Sequence, residues 1–90
     1  MNIEGKVAVI TGGASGLGRA TAEKLIAKGG KVAVLDLDKD LAEQTALELV
    51  EAKAYQVDVT DDDSVKVAIE AVKNDFGSIH INVNCAGIGA

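Results

Sequence analysis

Gly12, Gly16 and Gly18 follow the apolar run Val7-Ala8-Val9-Ile10-Thr11, and a helical pattern starts directly after them. A strand, a glycine turn and a helix in that order bring free backbone N–H groups and the positive end of the helix dipole to one point. Such a point suits a phosphate or pyrophosphate. Gly12 lets the chain leave the strand in a conformation that a Cβ would oppose. Gly16 removes a side chain where the backbone must approach a ligand, and Gly18 lies on the helix face turned to the strands and permits close packing. Ser15 and Leu17 stand between these glycines and belong to the same candidate binding turn. A phosphate loop of the Gly-Lys-Ser/Thr kind is excluded, because no such tripeptide follows.

The second chemical group is Asp36, which closes the apolar stretch Lys31-Val32-Ala33-Val34-Leu35 eighteen residues beyond Gly18. A carboxylate at that place accepts hydrogen bonds from the two ribose hydroxyls of an adenosine and repels a 2′-phosphate, which selects NAD over NADP. Ser15 is neutral, so no base offsets Asp36 from that side, although Lys39 is close in sequence. Three packing glycines and a solvated turn carboxylate are the plainer readings. They account for each residue alone but not for the order strand, turn, helix, strand, carboxylate.

Taken together, Thr11-Gly-x-x-x-Gly-x-Gly18, Asp36, Asp58-Val59 and Asn84-Cys85-Ala86-Gly87 stand in the order and spacing of the short-chain dehydrogenase/reductase family, which the sequence resembles. The resemblance covers the whole chain but only the amino-terminal half of a typical member, and it is nearest the branch of type-2 3-hydroxyacyl-CoA dehydrogenases. It implies that Asp58 accepts from the exocyclic amine of adenine while the Val59 N–H serves a ring nitrogen. It also implies that the backbone of Cys85, Ala86 and Gly87 lies beside the adenosine ribose; Cys85 stands where the family usually has a second Asn. On residue type alone, Asp58-Val59 is equally well a strand exit. A nucleophilic Cys85 is disfavoured, since the sequence puts no His or Asp partner near it. Asp61, Asp62 and Asp63 read as helix-dipole and capping chemistry, because three adjacent residues cannot all face one metal ion.

The implied parent reaction is hydride transfer between NAD and a secondary alcohol or ketone, with a 3-hydroxyacyl-CoA as one candidate small-molecule substrate. The family carries out that chemistry with a Tyr-x-x-x-Lys pair. This sequence has one tyrosine, Tyr55, and the residue four places on is Val59. No catalytic residue is therefore assigned, and residues 1–90 are expected to be an NAD-binding half-domain, a fragment that binds cofactor but does not turn over alone.

Composition sets the bounds. Ninety residues make one small domain, and 48% apolar content supplies a core of Val, Ile, Leu and Ala, since aromatic residues are only 2%. The net charge is −5 with cations scattered from Lys6 to Lys73, which argues against nucleic acid as a partner. No run is long enough to span a membrane and no signal peptide is evident, which points to the cytoplasm and leaves the mitochondrial matrix open. A single cysteine forms no internal disulfide.

These groups have to be positioned by alternating strands and helices. The pattern predicts strands over 7–11, 32–35, 54–57 and 79–83. Helices are predicted over about 15–28, from Asp38 or Asp40 to about Glu51, and from Thr60 as N-cap to Phe76, with Gly77 as the stop. The stripes Gly18/Ala22/Leu25/Ile26, Ala42/Ala46/Leu49/Val50 and Val65/Ala68/Ile69/Val72/Phe76 are the faces to be buried. Short turns between alternating elements give right-handed crossovers and a parallel, Rossmann-like α/β sheet of about four strands in the order 3-2-1-4, with helices on both faces: half of a doubly wound fold. His80 is expected to be a satisfied or surface residue. Asn82 is an anomaly, because a strand central to a complete fold would bury it, and the sequence names no partner for its amide. Two other functions are open at this stage. One is a non-catalytic dinucleotide-binding or regulatory module that self-associates through the open edge of the fourth strand. The other is an S-adenosylmethionine-dependent methyltransferase, which shares the glycine turn and the acidic second strand.

Overall fold

The computed structural model describes residues 2–85. Seven elements alternate along the chain: β1 (Val7–Thr11), α1 (Gly16–Ala27), β2 (Lys31–Asp36), α2 (Lys39–Leu49), β3 (Ala52–Gln56), α3 (Asp62–Phe76) and β4 (Ile81–Asn84). The four strands form one parallel sheet in the order β3-β2-β1-β4. Parallel strands need crossover connections, and each helix here is one.

The two central strands read as unbroken apolar runs because both of their faces are covered. On one face Val7, Val9, Ala33, Leu35 and Val57 pack with Ala68 and Val72 of α3. On the other, Ile10, Val32 and Val34 pack with Ala22 of α1 and Ala42 of α2, and Ala14 and Cys85 complete that layer. Helix α3 ends at Gly77, whose φ of +92° places it in the left-handed region that glycine enters without a Cβ penalty.

Local physics displaces several boundaries. Thr60 does not cap α3. Asp61 does, its carboxylate accepting from the N–H groups of Asp63 and Ser64, while Thr60 N and Oγ1 donate to Asp58. The cap of α2 is Asp38, which accepts from the Leu41 N–H. Val50 is off the buried face: α2 stops at Leu49, and Val50 turns outward, 79% exposed, with φ +69°. Thr45, on the same face as Ala42 and Ala46, is fully buried. Val57 is buried but lies just past β3.

β4 starts at Ile81 and not at Ile79, but its pairing reaches back through His80. The His80 N–H donates to Val7 O, and Nδ1 accepts from the Val7 N–H at 3.0 Å. His80 is thus a satisfied residue at the start of the ladder. Asn82 lies on the outermost strand of the described residues and is exposed there, with no protein partner for its amide among them.

Candidate functional site

The turn after β1 is best understood by asking where each backbone N–H goes. Gly12 N and Gly13 N both donate to Leu35 O, at 2.7 and 3.3 Å. Ala14 N donates to Asp36 Oδ2 at 3.2 Å, and Ser15 N returns to Gly12 O at 3.2 Å. The next three N–H groups, those of Gly16, Leu17 and Gly18, have no acceptor among the described residues. Ser15 holds the N-cap position of α1, yet its hydroxyl does not cap the helix; Oγ donates instead to Gly12 O at 2.8 Å. The first turn of α1 also contains no acidic side chain. What remains is a set of free donors at the positive end of a helix, suited to an anion.

The glycines hold this shape for separate reasons. Gly12 has φ +70°, which lets the chain turn sharply out of β1. A Cβ on Gly18 would stand 2.2 Å from Gly12 O and 2.8 Å from Gly13 Cα, so its partner is the turn itself, more closely than the strands behind it. At Gly16 a Cβ would meet no heavy atom within 4 Å, which leaves open space beside the free N–H groups. Gly13 escaped the sequence analysis, although a Cβ there would meet Ile10 O at 2.9 Å and Val34 Cγ1 at 3.2 Å. The doubled glycine at 12–13 was the signal that could have found it.

Asp36 is half-buried at the end of β2. Its Oδ2 faces the glycine turn, and its Oδ1 accepts from the Asp38 N–H at 3.1 Å. One strand over, Val57 N donates to Asp36 O and leads the chain into Asp58 and Val59. The Asp58 carboxyl is held below the ordinary carboxylate value chiefly by the Thr60 hydroxyl, which donates to Oδ1 at 2.6 Å, with help from the Thr60 N–H. Asp58 Oδ2 and the Val59 N–H have no partner among the described residues, and the Val59 side chain is exposed. Leu37, directly after Asp36, is a second exposed apolar side chain at this end of the sheet.

On the other side of β1, Cys85 N donates to Thr11 O, and Thr11 Oγ1 donates to Asn84 Oδ1 at 2.9 Å. The Cys85 thiol is buried among Ile10, Ala14 and Ala22, a packing position behind the turn. Of the sequence-derived site residues, Gly12, Ser15, Gly16, Leu17, Gly18, Asp36, Asp58, Val59 and Cys85 all lie at or just past the carboxyl ends of the strands. Ala86 and Gly87 lie outside the described residues. Among the described residues no group of three or more His, Cys, Asp or Glu could hold a metal, and no helix is long and apolar enough to cross a membrane. Two open grooves of about 370 and 380 Å³ flank β3, away from the glycine turn, and take no part in this site.

Comparison with known proteins agrees with this fold. A family model described as short chain dehydrogenase matches residues 6–90. The chain is 44% identical over 88 residues to the human 3-hydroxyacyl-CoA dehydrogenase type-2, covering 97% of this chain and 34% of that protein. It is 40% identical over 91 residues to zerumbone synthase of Zingiber zerumbet, again covering 34% of the relative and 98% of this chain. Among solved structures, 3-ketoacyl-(acyl-carrier-protein) reductase from Brucella melitensis, complexed with NADH, superimposes with a TM-score of 0.86 at 40% identity, over 89% of this chain and 33% of that one. The chain spans about a third of the length of the relatives it matches.

Proposed function

Because this chain belongs to the short chain dehydrogenase family, we propose that residues 1–90 form an NAD-binding half-domain of an oxidoreductase. The observation that carries the proposal is the division of N–H groups in the glycine turn. Residues 12–15 direct theirs into the protein, while Gly16, Leu17 and Gly18 have no acceptor among the described residues. In this reading those three groups hold the pyrophosphate, with Gly12 and Ser15 fixing the turn beneath them. Asp36 accepts from the adenosine ribose hydroxyls and disfavours a 2′-phosphate, so NAD is preferred over NADP. Asp58 Oδ2 and the Val59 N–H offer one acceptor and one donor to the adenine edge, and the exposed Leu37 and Val59 side chains offer apolar surface to its ring. The family resemblance assigns the ribose side to the backbone of Cys85, and also to Ala86 and Gly87, which lie outside the described residues.

When bound, the nicotinamide supplies hydride transfer to or from a secondary alcohol or ketone; the protein supplies placement and electrostatics. A 3-hydroxyacyl-CoA is the substrate we favour for the whole protein, on the likeness to the type-2 dehydrogenases. A D-threitol dehydrogenase is nearly as similar, at 41% identity, as expected if the shared third serves the cofactor and the substrate is chosen elsewhere. Tyr55 has Val59 and not a lysine four places on, and its phenol donates to Asp75 at 2.6 Å. A second, compatible reading is self-association through β4, whose outer edge has no strand partner among the described residues.

Isothermal titration with NAD, NADP and S-adenosylmethionine tests the proposal. NAD should bind, and Asp36→Ala should weaken it by about 1–2 kcal/mol, the scale of hydrogen bonds to a charged group. A folded chain that binds S-adenosylmethionine, or none of the three, would reject it.

A further inference from the structure

The donors of the glycine turn end on one short segment. Leu35 O accepts from Gly12 and Gly13, and the Asp36 carboxylate accepts from Ala14, so the last two residues of β2 receive three consecutive N–H groups. The same carboxylate reaches the other way, from Oδ1 to the Asp38 N–H, where α2 is capped. Asp36 therefore bridges the two helix-leading turns, β1–α1 and β2–α2. Ala14 is the last residue before the N-cap of α1 and is itself buried, so its N–H has no solvent alternative as good as the carboxylate.

From this geometry we infer that Asp36 is a positioning residue for the phosphate-binding turn as well as a contact for the ribose: by holding the Ala14 N–H it keeps the donors of Gly16, Leu17 and Gly18 aimed outward. The inference rests on the cofactor site argued above and adds a consequence to it. Replacing Asp36 should then weaken binding of a diphosphate even when the ligand has no ribose hydroxyls to contact. Electrostatics alone predicts the opposite sign, since removing a carboxylate near an anion improves its binding. The two effects are thus separable by direction. An Asn retains one acceptor oxygen without the charge, enough for the part-buried Ala14 N–H while the exposed Asp38 N–H turns to water.

The test uses ADP and 2′,3′-dideoxyadenosine diphosphate against the wild-type chain, Asp36→Ala and Asp36→Asn, by isothermal titration. Hydrogen exchange of the Ala14 amide is followed by NMR in the absence of ligand. Asp36→Ala should weaken ADP by about tenfold or more and the dideoxy ligand by about threefold to tenfold, from the size of one charged and one ordinary hydrogen bond. Asp36→Asn should keep the dideoxy affinity at or above wild type. The Ala14 amide should exchange faster in Asp36→Ala and stay protected in Asp36→Asn. Unchanged or tighter dideoxy binding in Asp36→Ala overturns the inference, as does unchanged Ala14 exchange. Failure of wild type to bind ADP rejects the site itself, a separate result from either.

Discussion

Gly16 and Gly18 stand two residues apart in one helical turn, and the structure predicts opposite consequences for the same substitution. An alanine Cβ at Gly18 would lie 2.2 Å from Gly12 O, 2.8 Å from Gly13 Cα and 2.9 Å from Gly12 C. All three are backbone atoms and none can swing aside, so the helix must move off the turn by most of an ångström. Overpacking of this kind costs about 1–3 kcal/mol, and more where the backbone resists. In a domain of this size that lowers Tm by about 5 °C or more. At Gly16 the same methyl meets no heavy atom within 4 Å and replaces glycine at the first position of α1, where helix propensity favours alanine by up to about 1 kcal/mol. Gly16→Ala should therefore unfold at or slightly above the wild-type temperature by circular dichroism, yet lose NAD affinity by about tenfold or more, because the methyl fills the space before the free N–H groups. Gly18→Ala should lose both. A Gly16→Ala chain that binds NAD as wild type does would refute the placement of the pyrophosphate. An unshifted Tm in Gly18→Ala would refute the contact between helix and turn.

Three further outcomes follow from single sites. Val50 sits at φ +69°, ψ −60° with the Glu51 N–H closing on Leu49 O, a tight three-residue turn that a β-branched side chain enters under strain; Val50→Gly should raise Tm, by about 1 kcal/mol of stability read from urea unfolding. Thr45 is fully buried and its Oγ1 has no hydrogen-bond partner among the described residues; Thr45→Val keeps the shape, removes the unmatched hydroxyl and should stabilise by about 1 kcal/mol, while a loss of stability would mean the hydroxyl is satisfied in solution. Tyr55 is the only tyrosine and there is no tryptophan, so the phenolate absorbance reports it alone. Burial, and then the hydrogen bond to Asp75, push its pKa well above the ordinary 10.0. A group raised in the folded state contributes stability below its unfolded value and loses it as pH rises through the folded one. The phenol should accordingly ionise later than free tyrosine, and Asp75→Asn should return part of the shift, since burial is the larger cause; ionisation at the ordinary value would contradict both.

Much of this was legible because strand and helix announce themselves in different periods. Val7–Ile10 and Val32–Leu35 read as doubly covered strands, and the Val65/Ala68/Ile69/Val72/Phe76 stripe named the face of α3 that packs on the sheet. The order β3-β2-β1-β4 is that of the first half of a doubly wound fold, the architecture that alternating strands and helices imply. Capping was less legible, because Thr60 and Asp61 are both good N-caps and composition does not say which one the chain uses. The choice fell to Asp61 once Asp58 had taken the Thr60 hydroxyl and N–H, a contact two residues back that no helical period encodes. Val50 leaves the stripe because α2 ends at Leu49, whereas Thr45 stands at helical spacing with Ala42, Ala46 and Leu49 and is hidden in the sequence only by its polar type. Asn82 is exposed on the outermost strand of the described residues, which hold no partner for its amide.

What sequence patterns could not reveal was the destination of each backbone donor, and there the site acquires its character. N–H groups carry no residue identity, so the distinction between those of 12–15 and those of 16–18 is invisible in the letters and appears only when their acceptors are found. It also changes what the side chains are for. Ser15, an ideal N-cap by type, gives its proton to Gly12 O and leaves the helix end uncapped. Asp36, a ribose acceptor by position, also closes the turn through Ala14. Both side chains satisfy the inner half of the turn and leave the outer half unsatisfied, in a place where α1 brings no acidic residue to fill the gap. A helix end left open in this way costs stability unless water or a ligand anion completes it. The open donors are what the proposed pyrophosphate site requires, and relatives named for a 3-hydroxyacyl-CoA, a 3-ketoacyl group and D-threitol match this chain over about a third of their length at 40–44% identity.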